Sequence, residues 1–175
     1  MIARWLSIGP LLALLAVLLA PAAVSAEARD PAATLTAFAA ALNAHDVGAA
    51  SGVFAADATL VGPGKGFQPT TFSGRAAIEA FLNKPLAAID NPTTFLQIGT
   101  PQVNGDSVTA SFLLVASDLA AQGLQPMRGT FSGTAQGGVF TSMTVTLSPD
   151  WVAQALAVRA HPGVQVPAVQ VPAGS

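Results

Sequence analysis

Side chains able to move a proton or hold an ion are few in this chain, and they are scattered. Past the first helix start the acids are Asp46, Asp57, Glu79, Asp90, Asp106, Asp118 and Asp150. General acid–base catalysis needs such a group within reach of the proton it transfers. Asp46 and Asp57 stand where a helix and a strand are expected to open, and a carboxylate there serves the backbone as a cap. Glu79 falls on the exposed face of a helix, and Asp90 and Asp106 fall in turns. Asp118 follows the apolar run Phe112–Val115 and could point into a pocket mouth, where an acid in an apolar setting can be functional. Arg128 comes early in a charge-poor strand and could hold an anionic group or pair with Asp118. These two are the candidate catalytic residues. His45 and His161 are far apart in sequence and have no acid cluster beside them, so no metal site is expected. No other cofactor is expected. The chain has no Cys and no Tyr, which removes thiolate chemistry, disulfides and a phenolic donor. Gly62-Pro63-Gly64-Lys65-Gly66 looks like a phosphate loop, but it lacks the Walker spacing and the following Ser or Thr, and reads as a turn.

The elements that would position these residues follow from caps and periodicity. Asp30-Pro31 is a helix start, a capping carboxylate ahead of a residue whose missing N–H costs nothing there. Leu35, Phe38 and Leu42 then recur on one helical face. Asn43-Ala44-His45 breaks that helix, and Asp46 caps a second, short one whose Val47, Ala50 and Phe54 face one side. Ala58–Val61 reads as a strand, with a partner over Thr70–Phe72 after the glycine-rich loop. A third helix opens at Ser73-Gly74. It buries Ile78, Phe81 and Leu82, can pair Arg75 with Glu79 one turn on, and is limited by Pro85.

From Thr94 the pattern is β. Thr94–Val103 is a strand interrupted at Pro101, and Asn104-Gly105 signals a hairpin into Ser107–Ser117. Met127–Ala135 and Val139–Leu147 form another hairpin across Gln136-Gly137-Gly138. Strict alternation puts Val139, Thr141, Met143, Val145 and Leu147 on one face, and Phe140, Ser142, Thr144 and Thr146 on the other. Asp150 can cap a final short helix through Trp151, Val152 and Leu156. Helices followed by a run of strands indicate an α+β domain.

The ends of the 175-residue chain read differently from this middle. Arg4, the apolar run Leu11–Ala20 and Val24-Ser25-Ala26 have the order of a signal peptide, with cleavage expected after Ala26. The apolar run is too short to span a bilayer and is bracketed by Pro10 and Pro21, so no membrane anchor is expected to remain. Residues 27–160 are the expected domain. In 161–175 Val-Gln-Val-Pro-Ala occurs twice, which favours extended, solvated backbone without a core. The chain is therefore expected in the periplasm or outside the cell. Lys and Arg number 7 against 9 Asp and Glu. No basic patch stands out, so nucleic acid is not an expected partner.

The run TAFAAALNAHDVGAASGVFAADATLVGP from Thr36, a polar loop, and FSGRAAIEAFL ending at Leu82 resemble the SnoaL-like and ketosteroid-isomerase-like branch of the NTF2-like superfamily. The resemblance implies an α+β cone, a curved mixed or antiparallel sheet wrapped around three helices with an apolar pocket inside. It also implies a homodimer paired through the outer sheet surface. The isomerases of that superfamily use a Tyr on the first helix, an Asp base before the Pro that ends the first strand, and a protonated Asp on a later strand. Here those positions fall on Phe38, Gly62 and Gly129, none of which can donate or accept a proton. The pocket lining is expected among Phe38, Leu42, Phe54, Phe81, Phe95, Phe112, Leu114, Phe131 and Met143. The expected function is binding of a hydrophobic small molecule without catalysis. One alternative is a SnoaL-like isomerase, cyclase or hydratase using Asp118 or Arg128. Another is a protein-interaction module using the sheet face.

Overall fold

The computed structural model describes residues 30–87 and 95–160. The expected signal sequence, the repeat-bearing tail, Asp90 and His161 lie outside the described residues. Helix α1, Pro31–Asn43, starts as its cap predicts: Asp30 Oδ1 accepts from the Ala32 N–H at 3.0 Å. Its Leu35, Phe38, Ala39 and Ala41 are buried. His45 takes a positive φ of 56°, turning the chain out of α1. Asp46 then caps α2, Val47–Gly52, by accepting from the Ala49 N–H at 2.8 Å.

Strand β1 runs over Phe54–Pro63, starting earlier than the expected Ala58. Phe54 therefore belongs to the strand and not to α2. It pairs with Phe140, and its carbonyl is gripped by Arg75, which donates from Nε at 2.9 Å and Nη2 at 2.5 Å. Arg75 thus turns onto backbone, and among the described residues it forms no ion pair with Glu79. Asp57, placed mid-strand by the earlier start, is exposed and caps nothing. A 3-10 turn, Lys65–Phe67, leads to β2, Pro69–Ser73. Helix α3, Arg75–Ala87, continues through Pro85 by two residues, because a missing N–H in a last turn removes one bond without ending the helix.

The β half comprises β3 (Phe95–Ile98), β4 (Gln102–Asn104) and β5 (Ser107–Val115). After a five-residue helix α4, Ser117–Ala121, come β6 (Met127–Gln136) and β7 (Val139–Leu147). Helix α5, Pro149–Ala160, closes the described chain. β3 and β4 both pair with β5, so the single expected strand is split around Pro101 as its missing donor requires. Gly105 at φ 57° makes the two-residue turn into β5.

The seven strands form one open sheet in the order β2-β1-β7-β6-β5-β3, with β4 also on β5. Only β1 and β7 run parallel. The sheet wraps around α1 and α3, and the core between them is built on Leu35, Phe54, Leu60, Ile78, Phe140 and Met143. Each large apolar side chain buried there is worth about 1.5–3 kcal/mol.

Strict alternation fails within β7. The β6–β7 register shifts between Thr134↔Ser142 and Ala135↔Phe140, leaving Thr141 as an extra residue in β7. Such a bulge inverts the parity beyond it. Phe140 is consequently fully buried in the core with Met143, instead of sharing a face with Ser142 and Thr144.

Candidate ligand cavity

β1, β5, β6 and β7 turn alternate side chains toward α1 and α3, and the space left between them is a cavity of about 460 Å³. α1 contributes Phe38, Leu42 and Asn43; α3 contributes Phe81 and Leu82. The sheet contributes Leu60, Pro63, Phe72, Leu96, Phe112, Leu114, Met127, Phe131, Val145 and Leu147, and the β1–β2 connection contributes Gly64 and Lys65. The aromatic rings are locked against each other. Phe112 and Phe131 stack at 4.5 Å between centroids, Phe72 and Phe81 at 4.3 Å, and Phe38 meets Phe131 edge-on at 5.9 Å. The volume lies in the usual range for small-molecule sites.

Of the residues expected to line a pocket, Phe38, Leu42, Phe81, Phe112, Leu114 and Phe131 do so. Phe54 and Met143 lie behind them in the core, while Phe95 is 54% exposed on the far face of β3. Asp118 belongs to α4, just past β5, and its side chain lies outside the described residues. Arg128 does not line the cavity. Its neighbours Met127 and Gly129 share the inward parity of Phe131, so Arg128 falls on the opposite face of β6. There it pairs with Asp150 across 3.3 Å between Nη2 and Oδ2. The Ser148 hydroxyl, the Trp151 amide and the Arg128 guanidinium hold the Asp150 carboxyl below its ordinary range. The stability this group adds is therefore present above that range and fades as pH falls through the lowered pKa.

Of the three positions that would carry an isomerase's acids and donor, one holds a phenyl ring, one is tight against another side chain and one is closed by backbone. Phe38 supplies a ring without a hydroxyl. At Gly62 an added Cβ would stand 3.0 Å from Cζ of Phe81. At Gly129 it would stand 2.1 Å from the Thr146 carbonyl oxygen and 2.8 Å from the Phe112 ring, which lies directly across the ladder.

Two polar residues at the cavity are not conspicuous in the sequence. Asn43 ends α1 and grips the edge strand β3: its Nδ2 donates to the Leu96 carbonyl at 2.9 Å, and its Oδ1 accepts from the Leu96 N–H at 2.7 Å. Both halves of the amide are thus occupied. Lys65 is exposed and is the one charged side chain among the described residues lining the cavity. Among the described residues no cluster of His, Cys, Asp or Glu could hold a metal ion, and no helix is long and apolar enough to cross a membrane.

A curved sheet folded over helices around an apolar cavity is the arrangement of the NTF2-like cone, and the sequence profile of the SnoaL-like domain matches residues 35–170. The chain belongs to the SnoaL-like family. No curated protein matches it. Solved structures share the fold at low identity. A Mycobacterium tuberculosis protein superposes with a TM-score of 0.55 at 18% identity, covering 70% of this chain and 98% of that one. The epoxide hydrolase/cyclase-like enzyme SalBIII, which acts in pyran ring formation in the polyether salinomycin, gives 0.55 at 17% identity, covering 69% and 92%. A Catenulispora acidiphila protein with a ketosteroid isomerase-like fold, solved in complex with trimethylamine, gives 0.53 at 22% identity, covering 68% and 88%. These likenesses establish the SnoaL-like architecture and carry no residue roles.

Proposed function

We propose that this SnoaL-like domain binds a small apolar or amphipathic molecule in its cavity and does not transform it. The observation that carries the reading is the lining: carbon on nearly every side, and, among the described residues, no acid, histidine or hydroxyl. Burial of an apolar ligand there needs no polar partner, while proton transfer would have, among the described lining residues, only the exposed Lys65 ammonium to perform it. Calorimetric titration of the purified protein with decan-1-ol and with 2-naphthol tests this, and saturable 1:1 binding of at least one is expected. Absence of binding by both, with the fold intact, would remove the reading.

A second reading keeps the enzyme alternative. Asp118 is the second residue of α4, shortly after β5, whose Phe112 and Leu114 line the cavity, and SalBIII is a cyclase-like enzyme on the same fold. The binding reading makes a sharp prediction against it. A 3-keto-Δ5 steroid should show no proton transfer at C4 above the buffer rate. Turnover that disappears in Asp118→Ala would establish a rebuilt acid–base site.

The protein is further proposed to be exported and to associate as a homodimer through the outer sheet face. On that face the cross-strand pairs Thr130↔Thr146, Ser132↔Thr144 and Thr134↔Ser142 set hydroxyls side by side. Leu113, Val115 and Phe95 add exposed apolar surface beyond them. Charges, the usual guard against sheet-to-sheet contact, are missing from its centre. The wild type is expected to be dimeric by light scattering at micromolar concentration, and Ser142→Lys with Thr144→Lys to be a folded monomer. A monomeric wild type would count against the dimer. A double variant that stays dimeric would put the interface elsewhere, and a captured protein partner on this face would favour the interaction-module alternative.

A further inference from the structure

Among the described residues lining the cavity one side chain is charged, and it is a cation. Asn43 spends one N–H and one oxygen lone pair on Leu96, which fixes the amide against β3. Lys65 takes part in no described ion pair, is exposed, and lines the cavity, so it stands at the mouth. It is also held there. The Gly64 N–H donates to the Gln68 carbonyl at 2.7 Å, and the Phe67 N–H donates to the Gly64 carbonyl at 3.0 Å. Gly66 and Phe67 both take positive φ, 66° and 63°, which folds the turn tightly back. Phe67 is then pinned from the α5 side: its ring meets Trp151 edge-on at 5.4 Å, and the Arg159 guanidinium lies 4.5 Å from its centroid. Such a cation–π contact is worth about 0.5–1 kcal/mol at an exposed site. The turn carrying Lys65 is thus tied to α5, whose Arg159 brings a second positive charge against it.

We propose that the ligand is an amphiphile with a single anionic head, a carboxylate or its equivalent, whose apolar body fills the cavity and whose head is received by Lys65 at the mouth. This rests on the cavity-binding reading and adds to it the charge and the direction of entry. The apolar body supplies most of the affinity. The lysine selects among apolar bodies, because an ammonium at the rim favours an anion over a neutral or cationic head. With no acid among the described lining residues, nothing in the lining repels that anion.

The test uses matched probes in calorimetric titrations of the purified protein: decanoate with decan-1-ol, and 2-naphthoate with 2-naphthol. At neutral pH the acids are ionised. The acid of a binding pair is expected to bind about fivefold or more tighter than its alcohol, with the difference shrinking as salt is raised. Lys65→Met should abolish the preference, bringing acid and alcohol to the same affinity. Lys65→Glu should reverse it toward decylammonium. Equal binding of acid and alcohol by the wild type, or a preference that survives Lys65→Met, would overturn the role of Lys65 while leaving the cavity reading standing. Failure of all four probes would remove the cavity reading itself, and this inference with it.

Discussion

Gly129→Ala is expected to cost about 3 kcal/mol or more, at the upper end for overpacking of a core. The added methyl would meet the Thr146 carbonyl oxygen at 2.1 Å and the Phe112 ring at 2.8 Å. The ring alone could rotate aside. The carbonyl belongs to the ladder between β6 and β7 and cannot move without breaking pairs next to Gly129↔Leu147. A lowering of the thermal midpoint by about 10 °C is the expected readout. Gly52→Ala is the matched control, since nothing lies within 4 Å of a Cβ there and α2 gains a better helix former. It should leave stability unchanged or raise it slightly. The comparison bears on function as well as packing. The position is closed to any side chain, so an Asp cannot be put back at Gly129 as a simple graft. A Gly129→Ala protein as stable as the wild type would mean that the sheet yields here and that the closed position is no barrier.

Filling the cavity should have the largest effect on ligand binding. Val145 lies on β7, is half-buried and faces the cavity opposite the helices. Val145→Trp would project an indole into space that is now empty, and Leu114→Trp would do the same from β5. Both are expected to weaken an apolar probe at least tenfold, since one excluded ring's worth of buried surface is about 1.5–3 kcal/mol or more. Because empty space is being used, thermal stability should change little, by about 1–2 kcal/mol in either direction. Retained affinity in both folded variants would show that the probe binds outside the cavity, for example on the exposed Phe95–Val115 edge.

The parts of this fold that sequence reveals are those governed by neighbours in the chain. Asp30-Pro31 and Asp46 announce α1 and α2 because a cap acts within three residues, and β7 runs over the residues that its alternation marks out. Other features depend on partners distant in sequence. Phe140 changes face because β6 imposes a bulge at Thr141. β1 begins at Phe54 because Arg75, from another element, holds that residue's carbonyl. The short α4 has too few residues to show a period. Asn43 looks like a helix breaker, and its actual task, closing both hydrogen bonds of Leu96, exists only once β3 lies beside α1. Lys65 looks like one residue of a turn until Pro63 and Gly64 are seen to border the cavity. The aromatic lining was more legible, since apolar periodicity marks inward faces. It could not separate Phe54 and Met143, which sit behind the lining, from Phe81 and Phe131, which form it.

The central claim, that the cavity holds a small molecule, is tested most directly by native mass spectrometry of gently purified protein beside its Val145→Trp variant. The account predicts one small-molecule adduct per chain on the wild type, released on denaturation and missing from the variant. Wild-type protein that carries no adduct, and that still takes up none of the four probes when they are added, would contradict it.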